Sequence, residues 1–262
     1  MPKVKDILEF VESLAPAYMA MEWDHIGLLC GRSDREVKRI LVALDPFQHV
    51  AEEAVEQGCQ LLLTHHPSMW NLEKFNDETQ QGRVLLYLVE NGISAVNAHT
   101  NLDCAPGGVN DCFAAKLGLT DVTVIDPVGK DAQGRDYGLL RGGNCSKTSP
   151  EDFLQTVKNA LGCQHLRYAT AGNPIRKVAV GGGSCADGLK RVAALGYDAF
   201  VTADCKYNAF ADAMDYGITL VDAGHFHTEN PVCTVLAEKV QAAFPEVEVV
   251  LSKTHGDCIK FL

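Results

Sequence analysis

The sequence predicts an α/β protein made of two similar lobes related by an internal repeat, with a dinuclear metal site at the carboxyl ends of its strands. Three observations lead there. Short apolar runs alternate with helix-length amphipathic stretches. One order of elements occurs twice along the chain. Three histidine-bearing polar clusters each follow a predicted buried strand.

The alternation begins with a helix. Ile7, Phe10, Val11 and Leu14 recur at helical spacing, and Pro16 stops it. Ile40 to Leu44 is an apolar run closed by Asp45-Pro46 and fits a buried strand. A helix through Val50, Ala54 and Val55 ends at Gly58. Leu61 to Leu63 is the next strand, a helix with Val84, Leu85 and Leu88 ends at Gly92, and Ile93 to Val96 is the strand after it. Strands separated by such helices imply parallel βαβ units.

The same order returns later. Val178, Gly196 and Thr202 repeat the spacing of Ile40, Gly58 and Thr64, and Gly217 to Ala223 matches Gly92 to Ala98. Generic βα units resemble one another by chance, but shared spacing on three strands favours two related lobes. Residues 122–175 lie outside the repeat. Val122 to Ile125 reads as a strand and Pro150 to Leu161 as a helix, capped by Ser149, with Phe153, Val157 and Leu161 on one face. Pro127-Val128-Gly129 and Gly142-Gly143-Asn144 read as local turns. The division is then a first lobe over 1–121 and a second part over 122–262. That second part combines the middle segment with the second lobe, and its C-terminal segment can pack back on the first.

Composition narrows the function. The chain has 262 residues, with 34 acidic against 23 basic side chains and a net charge of −11, which argues against non-specific nucleic-acid binding. No apolar run approaches the roughly 20 residues that span a bilayer. Lys3, Lys5, Asp6, Glu9 and Glu12 interrupt what would be the core of a signal peptide, so a cytoplasmic location is expected. The ten cysteines form no Cys-x-x-Cys pair and read as small buried residues and free thiols.

The clusters are Thr64-His65-His66-Pro67, His99-Thr100-Asn101-Leu102-Asp103 and Gly224-His225-Phe226-His227-Thr228-Glu229. Ligands of open parallel sheets bind just beyond strand carboxyl ends, so the three can converge. Strand alternation, if it persists through His65 and His66, points them to opposite faces, which suits two neighbouring ions. His225 and Glu229, four apart, share a helix face. Asp103 can bridge two cations. Mixed imidazole and carboxylate donors fit zinc, iron, manganese or nickel better than calcium, and the lack of cysteine argues against a purely structural zinc. His49, His165 and His255 read as ordinary loop or core residues, and His227 faces away from His225.

Other signals keep two readings. Gly181-Gly182-Gly183-Ser184 is either a phosphate cradle or a tight strand-to-helix turn. Lys206, in Asp204-Cys205-Lys206-Tyr207, either meets an anionic ligand or is solvated. The pattern assigns no chemistry to the loop Trp23-Asp24-His25-Ile26-Gly27-Leu28-Leu29.

That loop, with the three clusters, resembles the GTP cyclohydrolase 1 type 2 homologs, the Nif-three-like family, in motif order from about residue 20 to 230. The resemblance implies two α/β lobes with a dinuclear centre between them and a homohexameric ring. It places the metal ligands on His65, His66, Asp103, His225 and Glu229. It puts His99 beside the metals or in proton transfer. The chain matches the short form that lacks an inserted middle domain. The implied function is a metal-dependent hydrolase acting on a small molecule, a nucleotide or phosphate ester. The alternative is a non-enzymatic metal carrier or protein-interaction adaptor.

Overall fold

The computed structural model describes residues 1–71 and 74–262. The described chain forms two compact units, 1–105 with 232–256, and 106–231 with 257–262.

The first unit opens with α1 (Val4–Leu14), whose Val4, Ile7 and Val11 are buried along one face. Strands β1 (Gly27–Cys30) and β2 (Arg39–Ala43) follow, then α2 (Gln48–Glu56), β3 (Leu61–Thr64), α3 (Gln80–Glu90), β4 (Ser94–Asn97) and the short α4 (Thr100–Cys104). β3 and β4 are buried at every position, the pattern of parallel strands covered on both faces. β2 pairs parallel with β3, and β3 with β4, in a register that sets Ala43 opposite Thr64 and Thr64 opposite Asn97. Their carboxyl ends therefore stand level, and the segments leaving them start side by side.

The second unit begins with α5 (Val109–Lys116) and β5 (Thr120–Ile125). A small hairpin of two-residue strands follows, β6 (Gly129–Lys130) with β7 (Asp136–Tyr137), then β8 (Leu140–Thr148), α6 (Pro150–Leu161) and β9 (Arg167–Ala169). Ser149 caps α6 as predicted, its Oγ accepting from the Asp152 amide, and Gly162 ends it in the left-handed conformation. Next come β10 (Ile175–Val180), α7 (Leu189–Ala194), β11 (Ala199–Thr202), α8 (Tyr207–Tyr216), β12 (Thr219–Asp222) and α9 (His225–Glu229). The sheet order is β5-β8-β10-β11-β12-β9, with β10, β11 and β12 parallel.

Two expected turns are not turns. Gly142-Gly143 lies inside β8, and Gly129 pairs in the small hairpin. A Cβ on Gly142 would sit 1.9 Å from the Tyr197 hydroxyl, and one on Gly143 2.9 Å from the Thr120 carbonyl. Glycine is needed there because other groups approach the strand, not because the chain bends.

The chain returns to the first unit with α10 (Pro231–Ala243) and β13 (Glu248–Leu251), which adds parallel to β2 and completes the order β1-β4-β3-β2-β13. The stretch after β13 is tied to Glu53 of α2. This carboxylate, 5% exposed, accepts from Ser252 Oγ (2.5 Å), Lys253 N (2.9 Å), Thr254 N (3.1 Å) and Thr254 Oγ1 (2.7 Å). Burial alone would raise its pKa, but these hydrogen bonds outweigh that and hold it down at about 2, against an ordinary 4.5. A depressed carboxylate contributes stability above its unfolded pKa and loses it as pH falls through the folded one. Glu53→Gln is therefore expected to cost about 3 kcal/mol near neutrality. The gap from the parent should shrink as pH drops from 4.5 toward 2. Chemical denaturation at several pH values checks it, and a gap independent of pH would refute the role.

Among the described residues no helix is long and apolar enough to cross a membrane. All ten cysteines are free thiols, and burial pushes Cys59 and Cys205 up to about 12, so both are inert.

Candidate metal centre

The first unit gathers three imidazoles at the ends of β3 and β4. His65 and His66 follow Thr64 directly, and His99 is the N-cap residue of α4. The three rings lie 5.0 to 5.6 Å apart by centroid, and one nitrogen from each falls within 4.8 Å of the others. The alternation expected of His65 and His66 does not hold. β3 ends at Thr64, whose Oγ1 donates to the His66 carbonyl (2.7 Å), and the turned chain brings both rings to one side. Asp103, one turn into α4, is buried, with Oδ1 3.5 Å from His65 Nε2.

Each imidazole is held by Nδ1. For His65 the partner is the Ala98 carbonyl (2.8 Å), which only accepts, so Nδ1 carries a proton. His66 Nδ1 meets Asp45 Oδ1 (2.6 Å), and His99 Nδ1 meets Asp24 Oδ1 (2.8 Å). The second oxygen of Asp24 accepts from the Thr100 amide (2.9 Å) and hydroxyl. Burial pushes the Asp24 carboxyl up, but the bonds from His99 and Thr100 prevail and hold it at about 2.

In the second unit one histidine, His225, is also held through Nδ1 by a carboxylate. Gly224, with φ +85°, turns the chain out of β12 into α9, and His225 and Glu229 then share one face, Nε2 to Oε2 3.0 Å apart. His225 Nδ1 meets Asp204 Oδ2 (2.7 Å), just past β11. Burial would lower the pKa of His225, but the carboxylates of Asp204 and Glu229 raise it to about 11. An imidazolium between two carboxylates marks a place where a cation is electrostatically at home.

The glycine turn after β10 serves this pair. Gly182 N donates to Asn110 Oδ1 (2.7 Å) and Gly183 N to Thr228 Oγ1 (3.0 Å). Those amides are engaged, so the tight-turn reading stands over the phosphate cradle. Gly183, with φ +61°, lies against Glu229: a Cβ there would fall 2.1 Å from Glu229 Oε1. Lys206 precedes α8 on an open groove of about 300 Å³, where Lys190 is offset by Asp187, Asp204 and Asp212, so the groove has mixed charge. His227 instead meets Asp257 (3.4 Å), His165 packs on Phe261, and His255 Nδ1 lies 3.2 Å from the Ser252 carbonyl.

The donor set fits a divalent transition metal. Histidine ligands commonly fix one ring nitrogen on a carboxylate or carbonyl, and His65, His66, His99 and His225 all do so through Nδ1, with Nε2 of His225 set against Glu229. Asp24, Asp45 and Asp204 were not assigned this role from the sequence. Placement signals two of them, since Asp45 and Asp204 each lie two residues beyond a parallel strand, and nothing in the local pattern signals Asp24. Asp45→Ala is expected to weaken metal binding about 10- to 100-fold. Competition with a chelator of known affinity measures it, and unchanged affinity would show that His66 needs no such orientation.

The family model described as Duf34/NIF3 (NGG1p interacting factor 3) matches residues 2–257. A Clostridium perfringens protein named "GTP cyclohydrolase 1 type 2 homolog" is 33% identical, over 99% of this chain and 100% of its own. One of the same name from Streptomyces coelicolor is 36% identical, over 98% and 93%. The crystal structure of a Bacillus cereus protein related to NIF3 superposes with a TM-score of 0.94 at 23% identity, covering 100% of this chain and 99% of that one, which is likeness of fold.

Proposed function

This chain belongs to the Duf34/NIF3 family, and from that premise we propose that it is a dinuclear metal-dependent hydrolase of nucleotides or phosphate esters. In this reading His65, His66, Asp103, His225 and Glu229 are the ligands of a pair of divalent ions. The observation that carries this reading is the shared anchoring of the histidines through Nδ1, which fixes each ring and makes Nε2 the nitrogen that would meet a metal. Two such ions, when bound, supply Lewis-acid polarisation and lower the pKa of water toward neutrality.

The residues divide the remaining work. Asp45 and Asp204 hold His66 and His225 in orientation. His99, fixed by Asp24, keeps its Nε2 for moving a proton to or from substrate. The parallel triplets β2-β3-β4 and β10-β11-β12 support descent of the two units from one repeat. Their strand ends put Asp45 and Asp204, and then the histidines, at similar stations. The family resemblance further points to a homohexameric ring in the cytoplasm.

Metal-loaded protein incubated with nucleotides and phosphate esters is expected to turn over at least one of them, and a His65→Ala, Asp103→Ala double variant to lose that activity. Turnover equal in both proteins would refute the assignment. Metal that exchanges readily, without turnover on any substrate, would favour the carrier instead.

A further inference from the structure

Both tryptophans of the chain stand beside the three-imidazole cluster. Trp23 and Trp70 stack with centroids 6.2 Å apart and planes 22° from parallel. Trp70 meets the His99 ring edge-on at 5.1 Å, and Trp23 does so at 6.0 Å. Trp23 is nonetheless 61% exposed. A side chain that gains so much from burial is seldom left open to water without a use.

The loop that presents it is held on both sides. Met21 N donates to Thr100 Oγ1 (2.9 Å), and Asn97 Nδ2 donates to the His25 carbonyl (2.9 Å). The next residue, Asp24, is the carboxylate that fixes His99. Trp70 is tied in turn by its amide to Gln81 Oε1 (3.0 Å). The indole of Trp23 is thus backed by one ring, edged by another and fixed relative to His99, with area left for a third planar group.

We propose that Trp23, backed by Trp70, is a stacking platform for the heteroaromatic ring of a mononucleotide-sized substrate, and sets that ring beside His99. Stacking uses the π-face that every nucleobase offers, while the neighbouring imidazoles suit the polar edge of such a ring. The −11 net charge favours a mononucleotide over a polynucleotide. As a substrate site this rests on the hydrolase reading; as a binding site it does not, because no metal takes part in the stack.

The two tryptophans make the test direct, since all indole emission comes from this platform. Protein excited at the red edge of the tryptophan band is titrated with guanosine 5′-monophosphate and, separately, with ribose 5-phosphate, with and without metal. The nucleotide should quench saturably in both states and the sugar phosphate should not. Calorimetry should show Trp23→Ala weakening nucleotide binding roughly 5- to 150-fold, with Trp23→Phe recovering most of it. Equal binding of the two probes, or an unaffected Trp23→Ala protein, overturns the proposal. So does emission that responds to dilution and not to nucleotide, which would make Trp23 a contact between copies. Saturable quenching in a protein that takes up no metal would sink the hydrolase reading and leave the platform standing. Metal-dependent turnover without ring-dependent quenching would do the reverse.

Discussion

Gly183→Ala will remove most of the metal affinity contributed by the second unit while leaving that unit folded. The new Cβ would sit 2.1 Å from Glu229 Oε1, far inside contact distance. The end of a glutamate side chain can swing away cheaply, so the fold survives, but the carboxylate then leaves His225. A ligand lost this way costs roughly a hundredfold or more in affinity, beyond what orienting partners usually carry. The backbone contributes separately, because φ is +61° and an L-residue there costs about 1–2 kcal/mol. Gly196→Ala separates the two effects: φ is +74°, with nothing within 4 Å of its Cβ. Both variants should lose similar stability, and only Gly183→Ala should lose metal. Equal metal affinity in the two would show that Glu229 is not a ligand.

Arg141→Leu will destabilise the second unit by about 3 kcal/mol, the low end for breaking a buried ion pair, because Asp111 keeps some solvent contact. Arg141 is 1% exposed. Its Nε and Nη2 reach the two oxygens of Asp111 on α5 (2.7 and 3.2 Å), and Nη1 reaches the Gly138 carbonyl (2.6 Å). The guanidinium thus pins the start of β8 to α5, the helix whose Asn110 also holds the glycine turn. Leucine fills part of the volume but takes the guanidinium from the Gly138 carbonyl and from Asp111, which keeps its bond from the Gly107 amide. Arg141→Lys keeps the charge and loses the two-pronged geometry, so it should fall between. Denaturation followed by circular dichroism measures this, since both tryptophans lie in the other unit. A loss under about 1 kcal/mol for Arg141→Leu would contradict the account.

The sequence shows most clearly what packing repeats. Ile7, Val11, Phe153, Val157 and Leu161 fall at helical spacing because one face must be buried, and the structure places those helices accordingly. Leu61 to Leu63 and Ala95 to Val96 read as strands because parallel strands are apolar on both faces. β8 did not read as a strand, since Gly142-Gly143 answers to Tyr197 and Thr120, neighbours that no local pattern announces. The histidines were visible as clusters after strands. Asp24, Asp45 and Asp204 were not, because a single carboxylate in a loop has no spacing of its own; its meaning comes from an imidazole 75 residues away for Asp24 and 21 for Asp45 and Asp204.

The central claim is that these anchored histidines and carboxylates hold metal. The most direct measurement is the metal content of the protein after reconstitution with a divalent transition metal and removal of excess, read by elemental analysis beside the His65→Ala, Asp103→Ala variant. About two ions per chain in the parent and a clear loss in the variant are expected. No retained metal in the parent, or the same content in both proteins, would contradict the account.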